Sequence, residues 1–205
     1  MAQIFASIKS TLGALAILCF AVASAAQAQD AEPLPDLFLG NADAPIEIIE
    51  YASFTCPHCA SFHTSVYPRL KADYIESGKV KFIFREVYFD KFGLWAGMLA
   101  RCGGDEKYFG MVDLLFKKQK EWARGDGDAA IVGNMYEIGR QAGMTDDAMR
   151  ACMQDQENAQ ALVADFKLKA GADEVQSTPT FIIDGEKMQN MPYSEFQTIL
   201  DGKLN

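Results

Sequence analysis

A mostly apolar, β-rich run, Ile46 to Ser53, leads directly into Phe54-Thr55-Cys56-Pro57-His58-Cys59. Its composition fits a central strand buried on both faces. The join constrains the chain more than any other stretch, because a strand must give way within a few residues to the first turn of a helix. Pro57 suits the first helical position, where its missing N–H would have no partner. Cys56 then stands at the helix mouth, where free backbone N–H groups and the positive end of the macrodipole favour a negative sulfur. Cys59 falls most of a turn deeper and is less accessible. Disulfide exchange requires a thiolate, so this asymmetry suits one attacking and one resolving sulfur.

The periodicity beyond the motif gives the rest of the architecture. Phe62, Val66, Leu70 and Tyr74 recur every four residues and predict one helical face from Pro57 to about Ser77, kinked at Pro68 and ended by Gly78. Val80 to Val87 alternates as a second strand and completes a βαβ unit. Helical patterns follow over Leu94–Arg101, Glu106–Lys120, Ala129–Ala142, Asp146–Met153 and Glu157–Ala170, punctuated by glycines, with Thr145 as an N-cap. Thr180–Ile183, the Asp184-Gly185 turn and Glu186–Met188 read as a hairpin, and Tyr193–Leu200 as a closing helix. Residues 29–44 read as a polar, proline-punctuated lead-in.

Residues 1–28 are a different material. Lys9 precedes an apolar run from Leu12 to Ala23, and Ala26-Gln27-Ala28 fits a cleavage site, so this stretch reads as a secretory signal peptide. The alternative is an uncleaved N-terminal anchor, and Cys19 lacks a convincing lipobox. Export predicts an oxidising compartment where disulfides persist. Of the 5 cysteines, Cys56, Cys59, Cys102 and Cys152 remain after cleavage. With the close pair assigned to its own motif, Cys102 with Cys152 is the natural remainder, and two buried free thiols are the alternative. The balance of 28 acidic against 19 basic residues, a net charge of -9, argues against nucleic acid or an anionic membrane as partner.

With Cys-Pro-His-Cys after the first strand and Thr178-Pro179 before the third, the chain resembles the thioredoxin-like fold with a helical insertion. The closest likeness is the DsbA family of periplasmic thiol:disulfide oxidoreductases, which implies the periplasm as the location. The resemblance implies a mixed central sheet in an α/β βαβ–helical insertion–ββα domain over 29–205, with the insertion at about 91–171. It makes Cys56 the nucleophile, Cys59 the resolving thiol and Pro179 a cis-proline that, with Thr178, presents backbone to a substrate strand. Glu50, six residues before Cys56, matches the family's acidic residue beneath the active site. The best-known oxidases of the family carry valine where Thr178 stands, and related isomerases carry threonine. The implied activity is an oxidase donating the Cys56–Cys59 disulfide to folding secreted proteins, reoxidised by a membrane quinone-linked partner. A monomer with no cofactor is expected.

Other readings compete at several positions. A zinc site using Cys56, Cys59 and His63 lacks a second close ligand pair. His58 is either an exposed helix residue or a contributor to Cys56 acidity, and His63 reads as structural or surface. Glu50 shares the parity of Ile46 and Ile48, so it is either a buried proton acceptor for Cys59 or a solvated strand-end carboxylate. Phe54, Phe89 and Phe92 fit a peptide groove or the core. An isomerase or reductase is the rival function. Isomerases of this kind carry a dimerisation domain before the thioredoxin unit, and only about 17 residues separate the expected cleavage site from the first strand. A non-redox peptide-binding chaperone is a further alternative.

Overall fold

The computed structural model describes residues 33–205; the expected signal peptide lies outside the described residues. Five strands form one mixed sheet in the order β1-β3-β2-β4-β5. β2 (Ile46–Ala52) and β3 (Val80–Glu86) are parallel, with Glu50 opposite Phe84. β4 (Thr180–Ile183) runs antiparallel to β2 and pairs in turn with β5 (Glu186–Gln189). The turn between β4 and β5 places both Asp184 (φ 48°) and Gly185 (φ 83°) in the left-handed region, the requirement of a two-residue type I′ hairpin.

β1 (Phe38–Leu39) adds an antiparallel edge to β3 inside the segment expected to be a lead-in. Two residues carry no readable periodicity, and long-range contacts fix this segment instead. Asp36 pairs with Arg85 at 2.7 Å and Lys169 at 3.0 Å, and the Leu34 N–H donates to Asp165 at 2.9 Å.

The strand parity sorts the two faces of the sheet. Ile46, Ile48, Ala52, Phe82, Phe84, Phe181 and Ile183 face the main core, while Ile49, Tyr51, Ile83 and Ile182 face a smaller cluster with Ala170 and Phe166. α1 (Pro57–Ser65) lies over the main face. Pro68 breaks the long helical pattern: it continues as the short α2 (Tyr67–Leu70) and then a π-turn, Lys71–Ile75, closed by Glu76 N–H on Lys71 C=O at 2.9 Å.

Between β3 and β4 run α3 (Lys91–Arg101), α4 (Asp105–Lys117), α5 (Gln119–Trp122), α6 (Asp128–Gln141), α7 (Asp146–Met153) and α8 (Gln156–Ala172). The pattern expected as one helix to Lys120 splits at Lys118 (φ -105°, ψ 15°), which turns Gln119 and Trp122 inward. α9 (Tyr193–Leu204) closes the chain against the main core through Phe196 and Leu200. α9 is also joined to the π-turn by the Tyr74 O–H donating to Asp201 at 2.7 Å.

One cap ties the helical block to the start of α1. Asp90 accepts from the N–H groups of Phe92 and Gly93 at 2.8 and 2.9 Å, and from the Thr55 hydroxyl at 2.7 Å. Asp90→Ala is therefore expected to cost about 1 kcal/mol, the usual worth of an N-cap. Urea unfolding measures it; an unchanged midpoint would show that the cap is replaced by water at no cost.

Candidate active site

Cys56 is the N-cap of α1, in extended conformation (φ -78°, ψ 119°), with Pro57 in the first turn. Its Sγ accepts from the Cys59 N–H at 3.5 Å and lies 3.5 Å from the Thr178 carbonyl oxygen. The Thr178–Pro179 peptide is cis, and Pro179 is buried just before β4. The loop from α8 thus presents its backbone to the half-buried sulfur.

These contacts separate the two thiols. The Cys59 thiol donating to it, above all, pulls the pKa of Cys56 down from the ordinary 9.0 to about 5, against the effect of partial burial. The Thr178 hydroxyl and the backbone N–H groups of Cys59 and His58 add to the pull. His58 thus contributes through its main chain; its side chain is exposed. Cys59 is fully buried, and burial first, then Cys56 and the charge of Glu50, push its pKa far up. One sulfur is held as an anion and its neighbour as a thiol.

Glu50 is wholly buried on the face of β2 that meets α1, so it is no solvated strand end. Burial raises its pKa despite the opposing influence of His63. His63 Nε2 stands 2.9 Å from Glu50 Oε2, and the imidazole stacks on Phe116 with centroids 4.0 Å apart. His63 is therefore a buried partner of the carboxylate and not a surface residue. The sequence carries one signal for this: His63 follows Cys59 by one helical turn and neighbours Phe62, a residue of the predicted apolar face.

Gln119 is a site residue that the sequence pattern does not mark. Its Nε2 donates to the carbonyls of Phe54 at 2.8 Å and Cys56 at 2.9 Å, fixing the strand-to-helix turn from the side of α5. No local pattern marks it, because its burial depends on the break at Lys118. Of the three phenylalanines weighed for a groove, Phe54 is core, Phe92 is partly buried, and Phe89 is 61% exposed. Cys102 and Cys152 form a disulfide between the end of α3 and α7, remote in sequence from the motif.

The thioredoxin family model (Thioredoxin) matches residues 33–202. A Rickettsia bellii protein assigned provisionally as a protein-disulfide oxidoreductase is 33% identical over 172 residues, covering 81% of this chain. The chain spans 63% of that relative's length. Disulfide bond formation protein D of Bacillus subtilis is 23% identical, over 81% of this chain and 76% of its own. Among solved structures, Wolbachia pipientis alpha-DsbA1 superposes with a TM-score of 0.76 at 31% identity, covering 83% of this chain and 92% of that one. The chain belongs to the thioredoxin family, in its DsbA branch.

Proposed function

We propose that the chain is an exported protein disulfide oxidoreductase acting chiefly as an oxidase. A client thiolate attacks Cys56 Sγ of the Cys56–Cys59 disulfide, and the S–S bond breaks toward Cys59. Cys59 leaves with the electron pair and takes up one proton, which makes Cys56 the linked sulfur of a mixed disulfide. The client's second thiolate attacks the client sulfur of that bond and expels Cys56 as a thiolate. The client leaves oxidised, and the dithiol form remains. A membrane quinone-linked partner would then withdraw the two electrons.

The observation that carries this reading is Cys56 at the mouth of α1 with its pKa drawn to about 5. A sulfur comfortable as an anion is a good leaving group, and its disulfide is readily given away. Thr178, where the best-known oxidases of the family carry valine, is the feature that favours the isomerase alternative. The cis Thr178–Pro179 segment supports a role in holding the client strand, since its backbone lies beside the reactive sulfur. Export is supported by the pattern of residues 1–28 and by the Cys102–Cys152 disulfide, which suits an oxidising compartment. Monomeric action is part of the same proposal.

Equilibration in glutathione buffers tests it. The expected reduction potential lies above about -200 mV, in the range of donors and isomerases. A value near that of thioredoxin, about -270 mV, would assign the chain to the reductases instead.

A further inference from the structure

Glu50 is sealed from solvent beneath the cysteines, so any proton it exchanges with Cys59 needs a route. Its Oε2 is bonded to His63, and among the described residues its Oε1 and His63 Nδ1 are buried side-chain atoms with no hydrogen-bond partner. His63 also lines a cavity of about 520 Å³ on the flank of α1, open to solvent, whose wall includes Tyr67, Lys71, Glu76, Asp113 and Lys117. The residue thus has one nitrogen on the carboxylate, the other covered, and a side chain only 2% exposed where it lines the cavity. An imidazole is the side chain best suited to that place, since it takes a proton on one nitrogen and releases one from the other.

We propose that His63 is the proton gate of the active site, passing protons between Glu50 and the side cavity while the client occupies the front of the molecule. This rests on the thiol-exchange reading above. When the client thiolate displaces Cys59, Glu50–H gives its proton to the departing Cys59 thiolate and becomes a carboxylate. His63 returns a proton from Nε2 to Glu50 and takes one at Nδ1 from water that the cavity admits when this covered nitrogen is transiently opened to it, leaving the imidazole neutral. Attack by Cys59 on a mixed disulfide runs the chain backward and discharges one proton to the cavity. A bound client covers Cys56 at the front, and the side route leaves proton traffic unobstructed. His63 acts through Glu50, so it positions and relays and does not touch the reacting sulfurs.

The groups facing this relay are Glu50 from β2, Asp113 and Lys117 from α4, Lys71 and Glu76 from the π-turn and its end, and Tyr67 from α2. Asp113 is the anion whose field His63 feels from the cavity side, and its own pKa is raised by burial. Lys71 stands 3.7 Å from it.

The test follows the escape of glutathione from a Cys56–glutathione mixed disulfide, a step that needs the Cys59 thiol to lose its proton. His63→Gln keeps an N–H for Glu50 and removes the second exchangeable site. The step is expected to slow by about tenfold or more, a typical share for positioned proton transfer. Added imidazole should restore part of the rate in His63→Ala, whose cavity can admit it. In a Glu50→Gln background, His63→Gln should cause no further slowing, because both changes break one relay. Equal slowing in both backgrounds marks a merely structural role and overturns the proposal, as does an unchanged rate in the parent background. Asp113→Asn, at a half-exposed position, serves where the histidine variants unfold. Its rate for the same step should fall, because a carboxylate lining the cavity beside His63 no longer draws protons toward the relay; an unchanged rate overturns the proposal. If the parent chain forms no mixed disulfide at all, the oxidoreductase reading fails, which is a different result from a slow variant.

Discussion

Reduced protein is expected to gain stability over oxidised protein as pH rises from 5 to 8. Cys56 loses its proton near pH 5 in the folded dithiol form, whereas an unfolded chain holds it to about 8.5. Between those values the unfolded state binds the extra proton, so stability of the reduced form climbs with pH. The gain is complete above about pH 8.5 and is lost as pH falls through about 5. The full displacement would be worth about 5 kcal/mol. The sulfur is only half-buried, and solvent screening brings the expected gain to about 2 or 3 kcal/mol.

Cys59 works with the opposite sign. Its folded pKa is raised, so its contribution is present below the unfolded thiol value and falls away above it. The reduced form should therefore be most favoured near pH 8. Glu50 is common to both redox forms, and most of its effect drops out of the difference. Urea unfolding of the two forms at pH 5, 7 and 8 gives that difference directly. A gap that stays constant across the range would mean that Cys56 titrates as an ordinary thiol, and the oxidase proposal would lose its driving force.

The fold was legible because each element carries its own signal. Ile46–Ala52 is apolar and β-branched, Pro57 opens a helix, Pro68 breaks one, and Asp184-Gly185 makes a hairpin without help from distant residues. β1 was invisible because its two residues gain a partner only through β3. At the site, the position of Cys56 at a helix start followed from Pro57 alone. The environment of Glu50 did not, since strand parity puts it on the core face but says nothing of what covers it. His63 and Gln119 show the limit most clearly. Each is polar, each is buried by an element distant in sequence, and each satisfies a group near the motif: a carboxylate in one case, two carbonyls in the other. Polar burial of that kind is set by tertiary packing, which period and composition do not encode.

Removing the Cys102–Cys152 bridge should produce a large stability loss far from the motif. The two residues are separated by 50 positions, and a loop of that size contributes about 4 kcal/mol on the chain-entropy model. For a chain of this length that corresponds to a fall in Tm of roughly 10 °C. The paired Cys102→Ala and Cys152→Ala substitutions should nevertheless leave a folded protein. The end of α3 has a second anchor to the sheet: Arg101 grips the buried Glu86 through both terminal guanidinium nitrogens, and the Tyr108 hydroxyl donates to the same carboxylate at 2.7 Å. Leu99, Met111 and Leu115 keep α3 and α4 in the main core. The Cys56 contacts come from α1, the Thr178 loop and Gln119, none of which the bridge joins. The variant should therefore melt earlier and still show a thiolate with its pKa near 5 by ultraviolet absorbance. A Tm within a degree or two of the parent would mean that the unfolded chain is already compact between α3 and α7, so that the bridge removes little of its freedom.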